Sequence, residues 1–195
     1  LQVLADLAQQ QTSDLQFIRT TAVELLRHKV VNGIRDPEYV KNKIAEVLTN
    51  LFYSMYGEIN GNQWSTFFTD MVEILSIRQL CNDSTKEFIP LGLDYFLRIC
   101  LAVNSSIGDQ TFVRSKDVQV KNNSLKDTMR IQDVQTLVTV WLNTLKSIVP
   151  QEQSDLAVLT LSCVGSYISW IDVQLIVNPL YITVIYGYLD FAETK

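Results

Sequence analysis

Apolar residues in this chain recur at steps of three and four, most clearly over residues 37–75. Val40, Ile44, Val47, Leu48, Leu51 and Met55 stack on one face of a helix. Trp64, Phe67, Phe68, Met71, Ile74 and Leu75 do the same on a second helix, over about 63–76. Between them, Gly57-Glu58-Ile59-Asn60-Gly61-Asn62 supplies two glycines and two asparagines, residues that tolerate left-handed backbone. The pattern predicts a helical hairpin. A hairpin of this size cannot bury its apolar faces alone, so it asks for neighbours like itself. That points to a helical repeat array rather than an enzyme pocket.

The rest of the chain repeats the theme. Leu1, Leu4, Leu7 and Ala8 share one face of a helix end, and Gln11-Thr12-Ser13-Asp14 reads as a polar turn, with Ser13 or Asp14 capping the next helix. That helix runs to about Asn32 with Phe17, Ile18, Ala22, Leu25, Leu26 and Val30 inward, and Gly33 stops it. Asp36-Pro37 opens the next, with Asp36 as cap and Pro37 in the first turn. The segment from Arg78 to Phe88 reads as a linker, and Pro90 starts a helix through Leu93, Phe96, Leu97, Cys100, Leu101 and Val103. Residues 104–124 are polar and read as an irregular insertion. One helix is expected from Leu125 through Trp141 to about Val149, where Pro150 ends it. Another covers about 153–170, Asn178-Pro179 marks a turn, and 180–192 is the last. The isoleucine- and valine-rich stretch 171–185 has strand-like composition, but its length and the surrounding phase favour helix. The approximate units are 1–33, 36–77, 86–149 and 152–195, near the HEAT or armadillo period. The expected fold is an all-α solenoid of HEAT-like hairpins, one continuous array over 1–195.

Composition narrows the function. A hydrophobic fraction of 47% is ample for a large core, and a net charge of −5 argues against a uniform nucleic-acid coat. Cys81, Cys100 and Cys163 are odd in number and form no CxxC pair, which fits an intracellular protein without a disulfide framework. His28 is the one histidine, so a zinc site lacks ligands. No run has the length and apolarity of a membrane span; the longest candidate, Gln174 to Leu189, breaks at Asn178-Pro179. The chain starts at Leu1 inside a helical pattern, as a piece of a longer protein would.

One segment departs from the acidic balance. Residues 114–130 hold Arg114, Lys116, Lys121, Lys126 and Arg130 against Asp117 and Asp127. Lysine and arginine neutralise phosphates, and amides such as Asn122 and Asn123 add phosphate or sugar hydrogen bonds. The same pattern suits a solvated loop followed by the wet face of a helix. Trp64, Trp141 and Trp170 lie within apolar stripes and read as core, with base stacking the alternative. His28, between Arg27 and Lys29 late in its helix, suits the negative helix end. Ser162-Cys163-Val164-Gly165 lacks the strand–turn–helix setting of a nucleophile. No phosphate-cradling loop or acid–base carboxylate pair is present, so the chain does not read as an enzyme.

The stretch YVKNKIAEVLTNLFYSMYG followed by NQWSTFFTDMVEIL resembles the N-terminal repeat signature of the exportins, in the karyopherin superfamily. PLGLDYFLRICLAVNSSIGDQTFVRSK, LKDTMRIQDV and SCVGSYISWIDVQLIVN resemble more narrowly the tRNA-exportin family in its fungal form. The resemblance runs from about residue 37 to the end. It implies a right-handed superhelix of HEAT repeats, of which this chain is part of the N-terminal arch. It also implies a receptor that binds folded tRNA with the GTP form of Ran, crosses the pore along nucleoporins and shuttles between nucleus and cytoplasm. No cofactor is implied on this chain, because the GTP belongs to Ran. In that family the inner helices of early repeats face Ran, and the matching helices here are about 15–32 and 63–76. Their polar residues Gln16, Arg19, Arg27, Thr66, Asp70 and Glu73 become Ran candidates. Arg114, Lys116, Lys121, Asn122, Lys126 and Arg130 become tRNA candidates. The competing reading is a scaffold segment that binds Ran or nucleoporins without touching RNA.

Overall fold

A computed structural model describes the backbone of residues 2–81, 88–109 and 113–193, and their side chains other than those of 2–12, 79 and 190–193. Eight α-helices make up the regular structure of the described residues, and no strand occurs among them. They are α1 Gln2–Val31, α2 Glu38–Met55, α3 Phe67–Ile74, α4 Pro90–Ile107, α5 Lys116–Gln132, α6 Val134–Ser147, α7 Ser154–Tyr167 and α8 Pro179–Glu193. Short 3-10 turns sit at Glu58–Asn60, Arg78–Cys81 and Val173–Leu175.

The helices form two rows. α2, α4 and α7 lie side by side in one. In the other, α1 touches α3, the Arg78–Cys81 turn packs on α6, and α6 packs on α8. The rows meet across a continuous apolar core, so the α-solenoid expected from the sequence is the observed fold. Aromatic rings pin the first hairpin: Phe52 of α2 stacks on Tyr56 at 4.6 Å and meets Phe67 of α3 edge-on at 5.1 Å. A second knot joins α6 to α7, with Trp141 and Tyr167 edge to face at 4.9 Å. Trp64, Trp141 and Trp170 are all buried, as the stripe reading expects.

Local chemistry sets most helix ends. Gly33 takes φ +62° and closes α1, with its N–H on the Val30 carbonyl and the Ile34 N–H on Lys29, a Schellman cap. Gly57, Gly61 and Asn62 all adopt positive φ in the turn where the sequence predicts left-handed backbone. Asn178 caps α8 by accepting the Tyr181 N–H at 3.0 Å.

Seven local expectations give way. The stretch 171–185 is not helical throughout: residues 171–178 hold only the Val173–Leu175 3-10 turn, and α8 begins at Pro179, after the Asn178 cap. The polar turn at Gln11–Asp14 is absent: α1 runs through it, because Gln, Thr, Ser and Asp disfavour but do not break a helix when no residue needs positive φ. Phe17, Ile18 and Leu25 do not point inward. They are exposed because α1 packs on α2 and α3 from one side only. Asp36 does not cap α2, since Lys29 and Tyr95 claim its carboxylate. The second helix of the hairpin starts at Phe67 rather than about 63, because the left-handed turn extends through Asn62. Residues 104–107 finish α4 and 116–124 are the first turns of α5, so most of the supposed irregular insertion is helix. The long helix expected from 125 to 149 is two, broken at Asp133 (φ −120°), whose buried carboxylate accepts the Tyr56 hydroxyl. Residues 82–87 of the linker lie outside the described residues.

Candidate functional site

The first polar site is a groove of about 600 Å³ between α1 and α3. Gln16, Arg19, Arg27, Asp70 and Glu73 all line it. Thr66 joins by donating its hydroxyl to Asp70 Oδ2 at 3.1 Å. So the structure brings together all six residues nominated for Ran. Helical spacing explains this on α1: steps of three and four keep Gln16, Arg19, Thr20, Val23 and Arg27 on one face.

Asp70 is the node. Its Oδ2 accepts the Trp64 indole N–H at 2.7 Å and the Arg19 guanidinium at 3.3 Å as well. Arg19 also lies over the Trp64 ring, its Cζ 4.4 Å from the centroid. The aromatic ring, the planar cation and the carboxylate hold one another, which presents a fixed polar surface at the groove floor. Arg19 and Asp70 are each about three-tenths exposed, so their pairing contributes roughly 1 kcal/mol or less. Glu73 reaches Arg78 at 3.2 Å, an exposed pair that solvent screens. Among the charged lining residues, Glu24, Asp70 and Glu73 outnumber Arg19 and Arg27.

The second site is the flank of α5. Ser115 caps the helix through the Val118 N–H, and Asp117 sits in the first turn where a carboxylate meets the positive helix end. Arg114, Asn122, Asn123 and Lys126 line a groove of about 380 Å³ beside the end of α4. Four of the six tRNA candidates have internal work. Arg114 donates to the Ser105 carbonyl at 3.0 Å and to that of Ser106, closing the end of α4. Lys121 stacks over Tyr53 at 4.4 Å, and burial pushes its ammonium pKa down. Asn122 is buried, its amide on the Ser106 carbonyl at 3.3 Å, and is not a surface group. Arg130 donates its Nε–H to the Trp170 carbonyl at 2.9 Å and pairs with Asp127. Lys116 is exposed at the helix start. Lys126 is half-buried, and burial together with the Arg130 and Arg114 charges lowers its pKa. Arg114, Lys126 and Arg130 thus lie close enough to act on one another, with Asp127, paired to Arg130, offsetting part of their charge.

A third polar network is not signalled by the sequence pattern. Asp94 of α4 accepts Lys41 of α2 and, at 2.7 Å, Arg98 Nε; Arg98 also reaches Asn42 at 2.6 Å and Glu38 at 3.2 Å. Asp36 accepts Lys29 at 2.9 Å and the Tyr95 hydroxyl at 2.6 Å. The Asp94–Arg98 spacing of four is visible in the chain, but nothing in the pattern separates a cross-helix ladder from a wet face.

A two-row helical array with its polar groups spread along grooves between helices is an α-solenoid of HEAT-like hairpins. Residues 37–195 match the family described as Exportin 1-like protein, and the chain belongs to that family. Over its whole length it is 57% identical to exportin-T of Vanderwaltozyma polyspora, of which it covers 18%. It is 40% identical to exportin-T of Saccharomyces cerevisiae, across 93% of this chain and 17% of that protein. With exportin-T of Candida albicans the identity is 30%, across 84% and 15%. The chain thus spans less than a fifth of the length of these relatives. No helix among the described residues is long and apolar enough to cross a membrane.

Proposed function

We propose that this chain works as part of a nuclear export receptor that carries tRNA together with Ran–GTP. Such a receptor shuttles between nucleus and cytoplasm through contacts with nucleoporins. Its work is binding, and the chemistry of GTP hydrolysis belongs to Ran. One observation carries the reading: five of the six nominated residues, from α1 and α3, line a single groove between those helices, and Thr66, just before α3, bonds the groove residue Asp70. Similarity to exportin-T over the whole chain supports the same reading. In this account the α1–α3 groove meets Ran, and the Arg114–Lys126–Arg130 cluster with Lys116 meets tRNA phosphates. Recognition of RNA goes by shape and backbone, since A-form RNA hides its major-groove edges. Each ligand raises the other's affinity by the same factor, as linkage requires.

A second reading has its own support. Arg114, Lys121, Asn122 and Arg130 are committed to internal contacts, which favours a segment that binds proteins only. Lys116→Ala with Lys126→Ala in the intact protein separates the two. If these lysines touch phosphate, the log–log salt dependence of tRNA binding becomes shallower by about one for each phosphate no longer neutralised. An unchanged slope assigns α5 to the protein-only reading.

A further inference from the structure

α5 is out of line with the two rows. It packs on the Glu58–Asn60 turn, on α4 and on α6, and its flank reaches by side chains to the end of α2, the end of α4 and the segment just beyond α7. On α2, Lys121 covers the Tyr53 ring and the Tyr56 hydroxyl bonds Asp133, the residue that ends α5. On α4, Arg114 and Asn122 take the carbonyls of Ser105 and Ser106. Beyond α7, Arg130 takes the Trp170 carbonyl, with its Cζ 5.5 Å from the Trp170 ring. Close packing holds the middle. A Cβ added at Gly57 would come within 3.2 Å of the Leu125 side chain and 3.4 Å of Thr128 Oγ1, both on α5.

The dimensions agree. A helix of 17 residues is about 25 Å long, and helices packed at about 10 Å put the first and third of a row about 20 Å apart. We propose that α5 is a brace laid across the row, fixing the rotation of α2 relative to α7. Without it, each helix of the row would touch only its neighbours, and small rotations at the α2–α4 and α4–α7 contacts would add. With it, the segment from α2 to Trp170 moves as one body. Curvature of the array then changes outside that segment, starting at the joint between α1 and α2.

Spin labels at Glu46→Cys on α2 and Ser162→Cys on α7, in a Cys81→Ser background, report the α2–α7 distance in the full chain. Cys100 and Cys163 are buried. Cutting the brace with Tyr56→Phe and Arg130→Gln is expected to shift and broaden the distance distribution while the helical circular dichroism stays. Arg130→Gln alone, at a partly exposed side chain, gives a smaller change in the same direction. Tyr188→Phe removes a comparable hydroxyl bond, to the Leu145 carbonyl at 2.7 Å, away from the brace, and leaves the distribution in place. A distribution that stays put in Arg130→Gln, or that moves as far in Tyr188→Phe, overturns the proposal.

Discussion

Asp133 and Asp36 are both carboxylates bonded to a tyrosine hydroxyl, yet their effects on stability have opposite sign. Asp133 is buried with Tyr56 as its donor, and burial pushes its carboxyl up to about 6. The folded form therefore holds the proton more tightly than the unfolded chain. Its contribution is full below the unfolded pKa and is lost as pH rises from about 4 to about 6, by roughly 3 kcal/mol. Asp133→Asn should flatten that part of a urea-melt profile taken across pH. Asp36 is held low by the Lys29 hydrogen bond first and the Tyr95 hydroxyl second. Its contribution is present above the unfolded pKa and fades as pH falls through the lower folded one, so Asp36→Asn should blunt the acid side. Gly92 makes a steric case. A Cβ there would sit 2.0 Å from the Leu75 carbonyl oxygen, backbone that cannot give way cheaply. Gly92→Ala should push α4 off the end of α3 and cost about 2 kcal/mol in a chemical melt.

At the scale of elements, the apolar stripes are legible in the sequence and the breaks between them only partly so. Every stripe residue from Trp64 to Leu75 is buried, although helical geometry starts only at Phe67. Ser76 closes α3 at φ +56°, a place where glycine would have signalled the stop. The break at Asp133 carries neither glycine nor proline, and the stripe passes through it from Met129 to Val134 and Leu137 without a gap. It exists because a tertiary partner, Tyr56, takes the carboxylate. The first half of α5 is hidden for a related reason: its buried side before Leu125 is the single polar Asn122, so 116–124 resembles a loop, whereas Leu125 and Met129 already read as helix. The candidate sites divide in the same way. The phase of α3 is plain in the sequence, whereas that of α1 is only partly so, since Phe17, Ile18 and Leu25 read as inward and are exposed. The cations of α5 are visible as a patch, but the internal partners that hold two of them are remote in the chain, Tyr53 for Lys121 and Trp170, 40 positions on, for Arg130. The test at this scale is Asn123→Pro, at an exposed position inside α5. It should cost about 3 kcal/mol, as a helix interior demands, whereas a loop would absorb it.

At the scale of the molecule, the two rows do different work. In the α2–α4–α7 row, α2 is tied to α4 by a part-buried ladder through Lys41, Asp94 and Arg98, and removing Asp94 takes away the carboxylate that both cations share. Asp94→Ala should cost about 3 kcal/mol and disrupt packing of α2 on α4. The other row carries the open polar groove between α1 and α3, whose surface charges can be changed without touching the core. The most direct test of the account is hydrogen exchange of the intact protein with and without Ran–GTP. Slowed exchange should fall on residues 16–27 of α1 and 66–74 of α3. Slowing confined to α2, α4 and α7, with the α1–α3 groove unchanged, would contradict it.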